Sequence, residues 1–211
     1  MSPNEIKLEF EKSLQQHLTS ALDAYKQIKV NKNEIKLKKT RDNAAEAVIG
    51  FDYLSNARGY VLYMSVSTPE FQDFIKEISP PYASSILTDN TLAMTSSGEK
   101  NKTFSPIIGG AVPLPVSVEK VEGTCQWIAE KILSIYLPRV LNLINFTPKL
   151  IDDVIANPDH YSYPFLLILY TLKKNNLKTD DVDSNLLFSK SVSKNKNFDK
   201  FAMESFLSTK D

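Results

Sequence analysis

The chain has 211 residues, of which 42% are hydrophobic and 24% are charged, an ordinary composition for a globular protein. Its 25 Lys and Arg residues balance its 25 Asp and Glu residues, and this zero net charge excludes a globally basic nucleic-acid-binding protein and a globally acidic mimic of DNA. The longest apolar run, Phe165 to Tyr170, is far shorter than the roughly 18 residues of a membrane-spanning helix, so we expect no membrane partner.

The N-terminus and the cysteine content predict the cellular compartment. Residues 1–5 have no basic start followed by an apolar stretch, so we expect no secretory signal there. Cys125 is the single cysteine, so no internal disulfide can form, as is usual in the reducing cytosol. A structural zinc site needs about four Cys or His ligands, and Cys125, His17 and His160 lie far apart in the sequence. We therefore expect a cytoplasmic protein with no metal or other cofactor.

The distribution of glycine predicts the fold class. All six glycines lie between Gly50 and Gly123, and glycine supplies the positive φ angles that hairpins use. Three zones follow: a helical arm over 1–49, a β-containing middle over 50–123 and a helical half over 124–211. We expect an α+β fold, a mostly helical single domain with a small antiparallel sheet from about residues 60–118. Two subdomains joined near Gly123 are the alternative.

The first zone opens with an amphipathic helix. Its apolar side chains recur every three to four residues at Phe10, Leu14, Leu18, Leu22 and Tyr25. A basic run then covers residues 29–41, where Glu34 is the one acid and the cations are Lys29, Lys32, Lys36, Lys38, Lys39 and Arg41. A second helix is predicted over residues 44–49.

The middle zone contains the strand patterns. Residues 60–67 are apolar on both faces, which is typical of an interior strand. Residues 67–70 have the form of a capping box, which predicts a short helix with Phe71, Phe74 and Ile75 facing inward. Residues 84–88 and 91–96 predict a hairpin around Asp89 and Asn90. Residues 107–118 predict two further strands, the last of them an edge strand because it contains Pro113 and Pro115.

The third zone is predicted to be mostly helical. Cys125, Ile128 and Ile132 form the apolar stripe of a helix that Pro138 kinks or ends. Residues 164–174 include a stretch that is apolar on all sides, which is typical of a helix at the centre of a core. A last helix is expected to carry four apolar residues on one face: Phe198, Phe201, Ala202 and Phe206.

The segment from Gly123 to Trp127 is the sharpest catalytic candidate. A cysteine in the first turn of a helix can have its thiolate stabilised by the helix dipole, and His160 could act as its base. The segment resembles the nucleophile helix of papain-like and transglutaminase-like enzymes, although Trp127 does not directly follow the cysteine. Because Cys125 shares its face with Ile128 and Ile132, the pattern favours a buried core cysteine instead.

Two carboxylate clusters could hold a metal or divide the roles of acid and base. One consists of Asp152 and Asp153, and the other of Asp180, Asp181 and Asp183. Adjacent residues on a helix point about 100° apart, and acids favour the first turn of a helix. We therefore interpret both clusters as helix caps and solvated surface.

No assembled catalytic set and no phosphate-binding loop is recognisable in the sequence. We therefore expect a non-catalytic cytosolic protein-binding module, such as a toxin-neutralising immunity protein or an antitoxin, whose partner is another protein. One alternative is a thiol-dependent hydrolase or transferase that uses Cys125 and His160. The other is a nucleic-acid accessory protein that uses the basic run 29–41. No catalytic, cofactor-binding or metal-binding residue is assigned.

Overall fold

The computed structural model describes residues 2–37, 44–96 and 110–208. The helices are α1 (Pro3–Leu22), α2 (Pro69–Ile78), α3 (Glu119–Lys131), α4 (Leu137–Ile144), α5 (Lys149–Ala156), α6 (Pro164–Lys174), α7 (Ser184–Leu187) and α8 (Lys196–Ser208). The strands are β1 (Ile28–Val30), β2 (Glu34–Leu37), β3 (Glu46–Leu54), β4 (Gly59–Ser67), β5 (Leu92–Thr95) and β6 (Val112–Pro113). Among the described residues, no helix is both long and apolar enough to span a bilayer.

The α+β prediction is confirmed. The strands form one sheet in the order β1-β2-β3-β4-β5, and β6 pairs with β4. The β1–β2, β2–β3 and β4–β6 pairs are antiparallel. The sheet begins earlier in the chain than residue 60, because three of its strands precede β4.

The chain divides into two compact units. The first unit contains residues 1–65 and 94–138, and the second contains residues 66–93 and 139–211. The single-domain organisation stays a prediction.

In the first unit, α1 confirms the predicted amphipathic helix. Ser2 and Glu5 form a reciprocal capping box at its start, which satisfies two backbone N–H groups that the helix leaves open. Its apolar stripe packs against α3, and the buried members of that stripe are Ile6, Phe10, Leu14, Leu18 and Leu22.

The prediction that residues 1–49 form a helical arm is wrong beyond the end of α1. The second helix predicted over 44–49 is the start of strand β3, and two strands precede it. Ala47, Ile49 and Phe51 are buried, at every second residue, which is the period of a strand. The short segment 44–49 was compatible with either period, and pairing of Ile35 with Ile49 across β2 and β3 selects the strand.

The hairpin predicted around Asp89 and Asn90 is wrong. Residues 84–88 form no strand, whereas β5 occupies the second half of the predicted hairpin.

The capping box predicted at residues 67–70 does not form either. The Thr68 hydroxyl lies 2.6 Å from the Thr91 hydroxyl, so a tertiary hydrogen bond replaces the local one. Residues 107–109 lie outside the described residues, and β6 is limited to Val112–Pro113.

The helices predicted in the third zone are confirmed. A π-helical turn over Ile132–Tyr136 precedes Pro138, and a proline has no N–H with which to continue regular helical bonding. Helix α6 is buried along nearly its whole length, as predicted. On α8, however, Phe201 is 67% exposed, while Ala202 is buried; the side chain of Phe206 lies outside the described residues.

A buried carboxylate connects three elements of the first unit. Glu11 of α1 is 5% exposed, and its Oε1 accepts a 2.9 Å hydrogen bond from the Tyr60 hydroxyl of β4. Its Oε2 lies 2.9 Å from Nζ of Lys32, in the turn between β1 and β2. Burial and this hydrogen bond raise the pKa of Tyr60, so the phenol remains the donor.

We expect Glu11→Ala to lower the free energy of unfolding by about 2–4 kcal/mol, because it leaves the buried Tyr60 hydroxyl without an acceptor and Lys32 without its anion. Urea denaturation followed by far-UV circular dichroism measures the change. In a Tyr60→Phe background the same substitution should cost less, since no phenol is left unpaired. Glu9→Ala, on the same helix, is the matched control, and equal losses for Glu9 and Glu11 would contradict the prediction.

Candidate functional site

The thiol of Cys125 lies in the core of the first unit. The residue is 0% exposed, and its Sγ donates to the main-chain carbonyl of Phe10 at 3.8 Å. Burial raises the pKa of Cys125 to about 11, against a lowering contribution from a hydrogen bond with Ser13. The thiol is therefore protonated at neutral pH, whereas a nucleophilic cysteine needs a lowered pKa. These properties oppose the thiol-dependent alternative.

His160 belongs to the second unit and contacts an arginine. Its Nδ1 lies 3.1 Å from Nη2 of Arg139. A guanidinium only donates hydrogen bonds, so Nδ1 is the acceptor and is unprotonated in this contact. A catalytic histidine is usually oriented by a carboxylate or carbonyl on Nδ1, and here a cation takes that position.

Arg139 also forms a buried ion pair that the sequence did not reveal. Arg139 is 9% exposed, and its Nε donates to Oδ2 of Asp153 at 2.8 Å. The Tyr161 hydroxyl donates to the same oxygen, and the Asn157 side-chain amide donates to Oδ1 at 2.8 Å. Both carboxylate oxygens are thus engaged. This cluster connects α4 with α5 and the turn that follows α5.

The pKa shifts in this cluster favour a charged Arg139 and a neutral Tyr161. Burial opposes the charge of Arg139, but Tyr161 and Asp153 raise its pKa overall. Burial, reinforced by Asp153, raises the pKa of Tyr161 well above its usual value. The arrangement is a neutral phenol and a closed ion pair, with the stabilising geometry of a structural cluster.

The remaining carboxylates largely follow the capping interpretation. Asp183 accepts from the Asn185 N–H at 2.8 Å, and Asp181 accepts from the Lys178 N–H at 3.0 Å. Asp152 and Asp180 are exposed. Asp153 is the exception, because the ion pair with Arg139 replaces the predicted surface role. Within the described ranges, no group of three or more acidic, His or Cys side chains could hold a metal ion.

The basic run 29–41 is described only in part. Lys32 pairs with Glu11, and Lys36 pairs with Glu34 at 2.8 Å. Lys29 is exposed. The other three cations, Lys38, Lys39 and Arg41, lie outside the described residues.

Helix α2 of the second unit has a groove on each side. The first, here called the acidic groove, has a volume of about 720 Å³ and lies between α2 and α6. Glu70, Asp73 and Glu77 line it from α2, and Lys173 and Lys174 from α6. The second, here called the polar groove, has a volume of about 350 Å³ and lies between α2, residues 84–90 and residues 162–163. Helix α2 is thus a ridge between two concave surfaces.

Two aromatic residues, Phe74 and Tyr170, line the acidic groove. The Tyr170 ring lies 5.1 Å from that of Phe74 and 5.0 Å from that of Phe146. Nζ of Lys174 lies 4.7 Å from the centroid of Phe146 and 2.5 Å from Oε1 of Glu70. Burial and the neighbouring Glu70 raise the pKa of Tyr170. The groove therefore combines an aromatic centre with a charged rim.

The loop over 79–91 lies beside the polar groove and is held at several points. The Ser85 N–H donates to the Ser162 carbonyl at 2.6 Å. The Tyr82 hydroxyl donates at 2.7 Å to Asp199, which is fully buried. The Gln72 side chain donates to the Asp89 carbonyl. Leu87, in contrast, is 104% exposed, so an anchored loop presents one apolar side chain to solvent.

Only part of this ridge was foreseen. The predicted inward residues Phe71 and Phe74 are buried, but Ile75 is half-buried and lines the polar groove. The grooves themselves form between segments that are far apart in sequence. The helical period of α2 therefore does not predict them.

We expect Asp153→Ala to lower the free energy of unfolding by about 3–5 kcal/mol, because it leaves the buried Arg139 charge uncompensated. Its neighbour Asp152→Ala, at an exposed position, should change stability by less than about 0.5 kcal/mol. Guanidinium denaturation of both variants measures the difference. Similar stabilities for the two would show that the Arg139 pair contributes little.

We expect the native protein to resist thiol reagents, because the Cys125 thiol is buried and protonated at pH 8. Reaction with Ellman's reagent should release thionitrobenzoate far more slowly from the native chain than from the chain in 6 M guanidinium, roughly a hundred-fold or more. A free cysteine at the same pH is the reference. Labelling of the folded chain at the reference rate would contradict the burial and revive the thiol-dependent alternative.

No protein-family model, no curated protein and no solved structure matches this chain. The geometry of the described residues is therefore what supports a function.

Proposed function

We propose that this chain is a non-catalytic cytosolic protein-binding module. The partner is another protein, and a toxin to be neutralised by an immunity protein or antitoxin is the specific form that we propose. The observation that supports this function is the ridge of α2 with a groove on each side, next to the fully exposed Leu87.

The chemistry of the ridge suits protein recognition. Protein interfaces concentrate their binding energy in a few aromatic or apolar side chains surrounded by a polar rim. In the acidic groove, Phe74 and Tyr170 supply the aromatic centre and Glu77 and Lys173 belong to the rim. Leu87 supplies an exposed apolar side chain in the loop whose residues Ser84 and Thr88 line the polar groove. Since loop 79–91 is held by Tyr82 and Ser85, little conformational entropy would be lost on binding.

The polar clusters elsewhere support a non-catalytic function. A reactive site needs a nucleophile or base that is poised for substrate. Cys125 has a raised pKa and donates to a main-chain carbonyl. Asp153 has both carboxylate oxygens engaged within the chain. These groups contribute to stability where they lie, and they oppose the hydrolase or transferase alternative.

We expect Leu87→Ser to weaken partner binding about ten-fold or more, as does loss of an apolar residue at the centre of an interface. The candidate partner is the product of the gene next to this one, co-expressed and measured by isothermal titration calorimetry. Tyr170→Ala tests the acidic groove in the same way. Phe201→Ser removes a comparably exposed apolar side chain from α8 and is the matched control.

We expect Leu87→Ser and Tyr170→Ala to bind the partner more weakly, and Phe201→Ser to bind it as tightly as the wild-type chain does. Equal affinities of the wild-type chain and the three variants for the partner would overturn the assignment of the interface to α2. If the partner is a toxin, co-expression of the wild-type chain should restore growth and Leu87→Ser should not. A partner that is bound but remains toxic would contradict the immunity or antitoxin function while leaving the binding function intact.

A further inference from the structure

The edge of the sheet in the first unit offers a second surface, independent of α2. Strand β1 pairs with β2 and has no second neighbour among the described residues. The Asn31 N–H donates to the Glu34 carbonyl at 2.8 Å. In an antiparallel pair, every second residue bonds to the same neighbour, so Lys29 also faces β2. Ile28 and Val30 therefore direct their main-chain groups away from β2.

The outward groups of β1 are partly available. The Ile28 N–H donates to the Tyr25 carbonyl at 2.8 Å, which agrees with its outward direction. The N–H and carbonyl of Val30 and the carbonyl of Ile28 point the same way by the alternation of the ladder. An exposed row of such groups is a template for another extended segment.

A groove of about 340 Å³ lies along this edge. Ile28 and Val30 line it from β1, Thr19 and Leu22 from α1, and Asp23, Tyr25 and Lys26 from the turn between them. No residue of β2 lines it, so it lies on the side of β1 where an added strand would run. Alternate side chains of an added strand point to one face, and two apolar ones would enter this groove.

The charges on the opposite face of the sheet indicate which residue the added strand should carry between its two apolar residues. Lys29 pairs directly with Lys36 across the ladder, so two lysines are neighbours on that face. Lys36 contacts Glu34 at 2.8 Å, and Lys29, which is exposed at the edge, also contributes to lowering the pKa of Glu34. Opposite charges stabilise cross-strand neighbours and like charges destabilise them. The residue placed beside Lys29 should therefore be acidic.

We propose that the β1 edge binds an extended protein segment with the pattern apolar–acidic–apolar. The segment adds a strand to the sheet through main-chain hydrogen bonds to Val30. Its two apolar side chains enter the groove beside Ile28 and Val30, and its carboxylate lies next to Lys29.

The test uses two fluorescein-labelled peptides, Thr-Val-Glu-Val-Thr and Thr-Val-Lys-Val-Thr, and fluorescence anisotropy. The acidic peptide should bind the wild-type chain about three-fold more tightly than the basic one. Lys29→Glu should reverse that preference. Lack of saturable binding of the acidic peptide, or a preference that does not change with Lys29→Glu, would overturn the proposal.

Val30→Pro tests the main-chain contact. Proline lacks the outward N–H but removes no bond to β2, so the variant should fold and bind the acidic peptide about ten-fold more weakly. Val30→Ala keeps the N–H and should retain most of the binding. Lys29→Pro removes a bond to β2 and should be clearly less stable than Val30→Pro by thermal denaturation. If Val30→Pro instead abolishes a dimer seen by sedimentation, a second copy occupies the edge and the peptide proposal is wrong.

Discussion

The burial of α6 on all its sides is the interaction on which the proposed binding face depends. Helices α2, α5 and α8 all pack against it, and α2 is the helix that lines both grooves. Tyr170 is half-buried on α6, and its ring centroid lies 5.7 Å from that of Phe71 and 5.1 Å from that of Phe74. Since this aromatic cluster packs α2 against α6, we expect the ridge to reorganise little on binding.

The polar groups with catalytic potential are instead used for structure. Glu11, Asp153 and Asp199 are acceptors for several donors each, and each joins segments that are distant in sequence. Buried polar groups of this kind are expensive to leave unpaired, so their partners explain why they persist in a core. Because both oxygens of each carboxylate already accept hydrogen bonds within the chain, neither oxygen is available to bind a substrate. Binding through apolar and aromatic surface is the function that this distribution favours.

The elements with a strong, long period were predictable, and the parts that depend on tertiary contacts were not. Helix α6 and strand β4 could be located because each contains a continuous apolar run, which marks a buried segment, and their lengths and flanking residues separate the helix from the strand. Residues 44–49 were misassigned because six residues fit either period until Ile49 pairs with Ile35. The pairing of Arg139 with Asp153 and the grooves beside α2 join residues whose separation in sequence matches no local motif. The buried state of Cys125, in contrast, agrees with the apolar stripe that it shares with Ile128.

The charges around α2 indicate what kind of energy a partner would gain there. Glu70 is paired with Lys174, and Asp73 with Lys76, within the chain, so a partner's charges would compete with existing pairs. Exposed ion pairs contribute roughly 0–1 kcal/mol, which limits the electrostatic gain. Burial of apolar area contributes about 25 cal/mol per Å², so Leu87 and the exposed part of Tyr170 can supply more. Recognition at this face should therefore rest on shape and apolar contact, with the paired charges setting orientation rather than affinity.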